Sequence, residues 1–225
     1  MVKKIKKWIF EKSYQSCLKI GLNLVDPAPV LKMLDTGCGN GQKTTIFIDH
    51  IKPTTIIGLD LFEQPLTDNR IERVLGDINQ KIPLRDNSFD FILSNQTIEH
   101  LTNIRKYLSE CYRVLSSNGQ ILIMTENLSS WFNIICLFFG WQPFSLVNIN
   151  GWNIGNPFMY VDETKDKWNK EYEKQYQEGN MGVLGHIYVL TPKGLKDLMT
   201  RTGFKNIKIK TAGFGNHFLI GYGKK

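Results

Sequence analysis

The stretch Leu34-Asp35-Thr36-Gly37-Cys38-Gly39-Asn40-Gly41 decides the fold of this chain of 225 residues. Its three glycines stand at alternate positions between a short apolar run and a segment of helical character that begins at Gln42. Glycines allow a tight turn and let a ligand approach the bare backbone closely. The stretch therefore predicts a first strand near 30–34, a ligand-binding turn, and a helix near 42–50.

The residues of this turn argue against a dinucleotide as its ligand. Dinucleotide-binding turns follow the spacing G-x-G-x-x-G, and Gln42 occupies the place of the third glycine. Asp35 stands two residues before the first glycine, where a carboxylate would repel a pyrophosphate at the helix N-terminus. The turn instead suits a cationic or amine-bearing ligand.

Two further acids end the next two predicted strands. Asp60 follows the apolar run 55–59, and a carboxylate at that place can accept both hydroxyls of a ribose. Asp77 follows a third strand near 73–75 and can accept from the exocyclic amine of a base. With Asp35, they lie at the carboxyl ends of strands, where open α/β sheets bind ligands.

Strand and helix patterns alternate along most of the remaining chain, with a long interruption after Glu126. Such alternation predicts βαβ units and a mostly parallel sheet. The predicted elements are a short helix after Pro65, a strand near 89–94, a helix over 101–115, a strand near 120–125, a helix from Thr191 to Gly203, and strands near 207–211 and 217–223.

Several further motifs accompany the glycine turn. They are Gly58-Leu59-Asp60, Gly76-Asp77-Ile78, Phe89-Asp90-Phe91-Ile92, Ile98-Glu99-His100-Leu101, Arg113-Val114-Leu115 with Asn118-Gly119, and Leu190-Thr191-Pro192 through Gly203-Phe204. As a set they resemble the class I S-adenosylmethionine-dependent methyltransferases, in particular the small-molecule branch that is ubiquinone/menaquinone-methyltransferase-like (type 11). The resemblance covers roughly residues 30–127 and 186–225.

The resemblance implies the fold and the domain organisation. It implies an α/β, Rossmann-like, doubly wound sheet of seven strands in the order 3-2-1-4-5-7-6, with the last strand antiparallel, helices on both faces and an aromatic lid insertion. We expect one methyltransferase domain over 1–225. Its parts are an N-terminal cover (1–29), a cofactor-binding half (30–127), a substrate lid (128–185) and a C-terminal helix with strands (186–225).

The resemblance also implies S-adenosyl-L-methionine as cofactor. The glycine turn would hold the methionine part with Asp35 organising it, Asp60 would hold the ribose, and Asp77 with the Ile78 backbone would recognise adenine. The implied cofactor-binding residues are Asp35, Gly37, Cys38, Gly39, Asn40, Gly41, Asp60, Leu61, Asp77, Ile78, Asn95 and Gln96.

Two histidines are candidates for the chemistry, because an imidazole suits proton removal near neutral pH. His100 follows the fourth strand, although it could instead cap or pack against the next helix. His186 lies where the chain re-enters the core, and the resemblance places it facing the substrate. Glu99 beside His100 offers only two metal ligands, too few to predict a metal.

Residues 128–185 are rich in aromatic side chains and predict a lid or a small hydrophobic subcore. Candidate substrate contacts are Glu126, Trp131, Trp141 and Tyr160, although Glu126 could instead cap the next helix. We therefore expect an enzyme that O- or C-methylates a small apolar, aromatic, or lipid- or saccharide-linked acceptor.

Three alternatives stay open: an RNA methyltransferase, a protein methyltransferase and a non-catalytic cofactor-binding protein. Enzymes that methylate base amines resemble one another in an Asp/Asn-Pro-Pro-aromatic motif after strand four, where this chain reads Ser94-Asn95-Gln96-Thr97. We therefore expect no nucleic-acid partner.

The positive charge is concentrated at the two ends of the chain, in residues 1–29 (+4) and 186–225 (+7). The middle, residues 30–185, carries −4, which gives the net charge of +7. A basic amphipathic helix over 1–20 suits an anionic membrane surface, or it simply covers the sheet or the cofactor site. The four cysteines lack C-x-x-C spacing and indicate free thiols. We expect a cytoplasmic protein, with peripheral membrane contact as an open alternative.

Overall fold

The structure is a computed structural model that describes residues 2–26, 29–149, 152–158 and 185–225. The strands are β1 Lys32–Thr36, β2 Thr55–Asp60, β3 Ile71–Leu75, β4 Phe89–Asn95, β5 Leu115–Glu126, β6 Asn148–Ile149, β7 Trp152–Asn153, β8 Lys205–Ala212 and β9 Phe218–Lys224. The helices are α1 Val2–Leu24, α2 Gln42–Ile51, α3 Ile104–Val114, α4 Trp131–Phe138 and α5 Pro192–Thr202.

Seven of these strands form one sheet in the order β3-β2-β1-β4-β5-β9-β8, and β6 with β7 forms a separate hairpin. Strands β1 to β5 pair in parallel, whereas β9 runs antiparallel to β5 and to β8. When only the strands of the large sheet are numbered, this is the order 3-2-1-4-5-7-6. The predicted fold class is therefore confirmed.

Side chains of the central strands alternate between two apolar cores, one on each face of the sheet. In β1, Met33 packs with residues of α1 and α2, whereas Leu34 packs with residues of α3 and α5. The same alternation directs Asp35 to α2, where Thr44 donates to it, and Thr36 to α3, where its hydroxyl contacts that of Tyr107. The apolar core thus decides where the first functional acid points.

Capping residues explain where two helices begin and end. Thr191 accepts from the Gly194 N–H, and Gly203 ends α5 in a left-handed conformation (φ 111°), as predicted. Helix α3 begins later than predicted, because Asn103 caps it after a short 3₁₀ turn, Ile98–His100.

The predicted short helix after Pro65 is wrong, since the chain between β2 and β3 has no helix.

Helix α1 extends beyond the predicted range and covers the sheet. Tyr14, Cys17 and Leu18 are buried against β5 and β9, and the Gly21 backbone passes close to the Met124 side chain. Covering the sheet is therefore one role of this helix. No helix in the described part of the chain is long and apolar enough to cross a membrane.

Gly58 in the centre of β2 predicts a stability effect. A Cβ at this position would lie 2.7 Å from Cys38 Sγ and 2.9 Å from Ile71 Cγ2. Gly58→Ala should therefore lower the free energy of unfolding by about 1–3 kcal/mol, measured by urea denaturation. Adding Cys38→Ala should recover part of this loss, because it removes the closer contact. An unchanged stability for Gly58→Ala would contradict the close packing.

Candidate active site

The glycine turn after β1 folds over the carboxyl end of β2. The Gly37 N–H donates to the Leu59 carbonyl at 2.7 Å, and the Gly39 N–H donates to Asp60 Oδ2 at 2.8 Å. At Gly37 (φ 76°), a Cβ would come within 2.6 Å of Thr97 Oγ1. A side chain at Gly37 would therefore push the turn away from the residues that follow β4.

Gly39 faces open space, because a Cβ there would meet no atom within 4 Å. Its carbonyl accepts from the Arg73 guanidinium, which also donates to the Phe62 carbonyl at 3.1 Å. Arg73 thus joins the glycine turn to the loop after β2. Sequence reasoning missed this residue, because β3 carries two adjacent charged residues, Glu72 and Arg73, and the sequence does not show which of them turns toward the glycine turn.

Two of the predicted acids stand at the ends of neighbouring strands. Asp60 accepts from the Gly39 N–H with one oxygen and from the Phe62 N–H with the other, at 3.1 Å. Asp77 Oδ1 accepts from the Asn79 N–H at 2.9 Å. A carboxylate can accept about four hydrogen bonds, so both acids keep capacity for a ligand's hydroxyl or amine groups.

A cavity of about 250 Å³ opens between the ends of β1, β2, β3 and β4. It is lined by Gly37, Asp60, Leu61, Phe62, Asp77, Ile78, Asn79, Gln96, Thr97, His100 and Leu101. Seven of these eleven were predicted. Phe62, Asn79, Thr97 and Leu101 were missed, because single polar or apolar residues in loops have no distinctive spacing.

Three other predicted cofactor residues, Cys38, Asn40 and Gly41, are not among the residues that line this cavity. Cys38 turns its side chain toward Gly58, and Asn40 Oδ1 accepts from the Gln42 N–H at 3.1 Å. Gly41, in a left-handed conformation (φ 81°), precedes α2. These residues shape the glycine turn.

Asp35 is buried beneath the turn, where the Thr44 hydroxyl donates to it at 2.5 Å. Burial raises the pKa of Asp35 to about 7; the Thr44 hydrogen bond works in the opposite direction, and nearby Asp60 adds to the rise. A cation bound above the turn would favour the ionised carboxylate. The site is thus electrostatically suited to a positively charged ligand.

Asn95 connects the end of β4 to helix α1. Its side-chain N–H donates to the Tyr14 hydroxyl at 2.7 Å, and its Oδ1 is buried with no hydrogen-bond partner among the described residues. Burial raises the pKa of Tyr14 to about 12, so its phenol stays protonated at neutral pH. The N-terminal helix therefore contacts a predicted cofactor-binding residue, in line with the alternative that it covers the cofactor site.

The candidate catalytic histidines lie together. The rings of His100 and His186 are 4.9 Å apart, in an edge-to-face arrangement. Burial, followed by the proximity of His186, lowers the pKa of His100 and favours its neutral form. Glu126 joins this group, with Oε2 3.5 Å from His186 Nδ1. Glu126 is not the cap of the next helix, because Ser130 caps α4.

The candidate aromatic substrate residues lie away from the cavity lining. Trp131 on α4 is exposed, and Trp141 stacks on Phe139 with ring centroids 5.0 Å apart. Tyr160 lies outside the described residues. The structure therefore brings neither tryptophan to the cavity, and Trp141 belongs to a local aromatic cluster.

Comparison with known proteins places these features in context. Residues 34–123 match a family model described as a methyltransferase domain. A probable S-adenosylmethionine-dependent methyltransferase of Mycolicibacterium smegmatis is 34% identical over 99 residues, which cover 42% of this chain and 38% of that protein. The chain thus spans well under half of this relative's length.

Two further matches extend over more of the chain. The demethylmenaquinone methyltransferase of Lactobacillus johnsonii is 25% identical over 210 residues, which cover 85% of this chain and 75% of that protein. The crystal structure of a methyltransferase from Thermotoga maritima covers 100% of this chain and 96% of its own, with a TM-score of 0.60 and 20% identity. The latter likeness shows the fold.

The buried Asp35 carboxylate predicts a pH-dependent stability. Its pKa rises from 3.8 to about 7 on folding, so the folded state holds this proton more tightly than the unfolded chain. The contribution is therefore full below pH 3.8 and is lost as the pH rises through about 7. Asparagine still offers Thr44 an acceptor and lacks this loss.

We expect Asp35→Asn to gain stability relative to the parent between about pH 5 and pH 8, measured by urea denaturation. The exposed Asp197 is a matched control, and Asp197→Asn should show the same difference from the parent at both pH values. A difference for Asp35→Asn that does not change with pH would contradict a raised Asp35 pKa.

Proposed function

We propose that this chain, which belongs to the class I S-adenosylmethionine-dependent methyltransferases, transfers the cofactor's methyl group to a small organic acceptor. The observation that carries the proposal is one cavity, at the carboxyl edge of the sheet, that gathers the glycine turn with Asp60 and Asp77. Open α/β sheets bind ligands at this edge.

The residues around the cavity fit the proposed cofactor. Asp60 would accept from the ribose hydroxyls, and Asp77 with the Ile78 backbone would accept from and donate to the adenine. The open face at Gly39 leaves room for the methionine part. When bound, S-adenosylmethionine supplies a methyl group activated by a sulfonium. The buried acid Asp35 favours that positive charge over a pyrophosphate.

The acceptor would approach from the side of His100 and His186. His100 lines the cavity next to Gln96 and Thr97, beyond the acids that suit the ribose and the base. A neutral imidazole there that binds no metal can accept the proton of a hydroxyl or enol, so we propose O- or C-methylation. The Lactobacillus johnsonii relative, named for demethylmenaquinone, supports an apolar ring-shaped acceptor.

An exposed apolar surface supports a lipid-linked acceptor and peripheral membrane contact. Helix α4 exposes large side chains, with Phe138 82% exposed, and Trp8 of α1 is 59% exposed. The sequence of α1 adds four lysines within residues 1–7. Apolar and basic groups together suit an anionic bilayer surface.

All four cysteines are buried free thiols, which supports a cytoplasmic location.

Isothermal titration calorimetry with S-adenosylmethionine tests the cofactor proposal. Asp60→Asn should bind the cofactor roughly tenfold to a hundredfold more weakly, because hydrogen bonds to a charged group are worth about 1.5–3 kcal/mol. Asp90 is a matched control: its Oδ2 also accepts two backbone N–H groups, those of Leu31 and Lys32, at the opposite edge of the sheet. Asp90→Asn should keep the parent's affinity. No binding by the folded parent would refute the proposal.

Vesicle co-sedimentation tests the membrane proposal. The parent should bind vesicles that contain phosphatidylglycerol and not vesicles of phosphatidylcholine alone. Changing Lys3, Lys4, Lys6 and Lys7 to Gln should reduce binding at least tenfold, since each lysine is worth about 1 kcal/mol near such a surface.

Phe138→Glu should also reduce vesicle binding, because it places a charge on the exposed face of α4. Leu31 is a suitable control, since it is 59% exposed at the other edge of the sheet, and Leu31→Glu should bind like the parent. Equal binding by the parent, the lysine variant and Phe138→Glu would exclude this surface.

A further inference from the structure

A cluster of ligand-type side chains adjoins the cavity at His100, the one member of the cluster that lines it. Glu99, His100 and His186 each offer one atom, a carboxylate oxygen or a ring nitrogen, and these atoms lie within 4.8 Å of one another. Glu99 and His100 come from the turn after β4, and His186 comes from the segment that returns to the sheet. Backbone N–H groups of Ile187 and Tyr188 donate to the Glu99 carbonyl and hold that segment in place.

Both imidazoles are oriented by backbone carbonyls. His100 Nδ1 lies 2.9 Å from the Gly185 carbonyl oxygen, and His186 Nδ1 lies 2.7 Å from the Ser145 carbonyl oxygen. Since a carbonyl can only accept, each Nδ1 carries a hydrogen, and the lone pair of each neutral ring is on Nε2. Histidines that bind metals typically have this arrangement.

Glu99 brings a third acceptor that lacks a donor. Its side chain is fully buried, and Oε2 accepts from the Thr125 hydroxyl at 2.7 Å. Oε1 is buried with no hydrogen-bond partner in the described part of the chain. Buried polar atoms are rarely left without a partner, so Glu99 Oε1 needs a cation or a proton beside it.

We propose that Glu99, His100 and His186 bind a divalent transition-metal ion at the acceptor end of the cavity. Two imidazoles and one carboxylate form a ligand set that suits zinc or iron and leaves coordination positions open. Glu126, with a buried oxygen 3.5 Å from His186 Nδ1, adds negative charge behind that ring. Two of the three ligands are adjacent in sequence, whereas only the fold brings His186 next to them.

The metal would select the acceptor. An ion on these residues would occupy the lone pair of His100, so the metal would replace His100 as the group that activates the acceptor. It would bind an oxygen of the acceptor through an open position and lower the pKa of a hydroxyl there. The acceptor class is then a compound with a hydroxyl, enol or carboxylate oxygen next to the methylated atom. This consequence rests on the proposed methyl transfer, whereas metal binding itself does not.

Cobalt titration of the 225-residue chain, after treatment with a chelator, tests the site. We expect one Co²⁺ per chain, seen by visible absorption, and competition by Zn²⁺. Glu99→Gln, His100→Gln and His186→Gln should each weaken binding by about a hundredfold or more, since losing even an outer-shell partner of a metal site costs about 10–100-fold. His217→Gln and His50→Gln should bind like the parent, because neither residue is a proposed ligand. His217, whose ring contacts Glu126, controls for the loss of a histidine near the cluster, and the exposed His50 controls for the loss of one on the surface.

The same variants are titrated with S-adenosylmethionine and melted thermally, so that loss of fold is separated from loss of a ligand. No Co²⁺ or Zn²⁺ binding by a folded parent would overturn the metal site and favour a shared proton. So would ligand variants that bind like the parent. Metal binding without cofactor binding would retain the site and refute the proposed function instead.

Discussion

Parallel pairing of β1 between β2 and β4 is the constraint on which the site depends. The register places Asp35 opposite Gly58 on one side and opposite Leu93 on the other, so the three strands end at the same edge. The glycine turn can therefore reach the Asp60 carboxylate, and Thr97 can pack against Gly37. Without this register the functional side chains would not meet.

Features with short sequence spacing were predictable. The glycine turn with Asp35, the cap at Thr191 and the stop at Gly203 each depend on residues within a few positions of one another. The sheet order followed from the resemblance, and the structure confirms it.

Contacts between distant residues were not predictable in this way. Arg73 reaches the Gly39 carbonyl, Tyr14 reaches Asn95, and His186 meets His100 only because separate elements fold together. No local pattern marks such pairs, since the energy that holds them comes from the packing of whole elements. The same reason explains Trp131, an aromatic residue that the fold leaves exposed.

The central claim is that the cavity edged by Asp60 and Asp77 holds S-adenosylmethionine. A crystal structure of the chain with S-adenosylhomocysteine tests it most directly. The account predicts ribose hydroxyls within hydrogen-bond distance of Asp60, adenine beside Asp77 and Ile78, and the sulfur facing His100. A nucleoside bound elsewhere, or an empty cavity at saturating ligand, would contradict it.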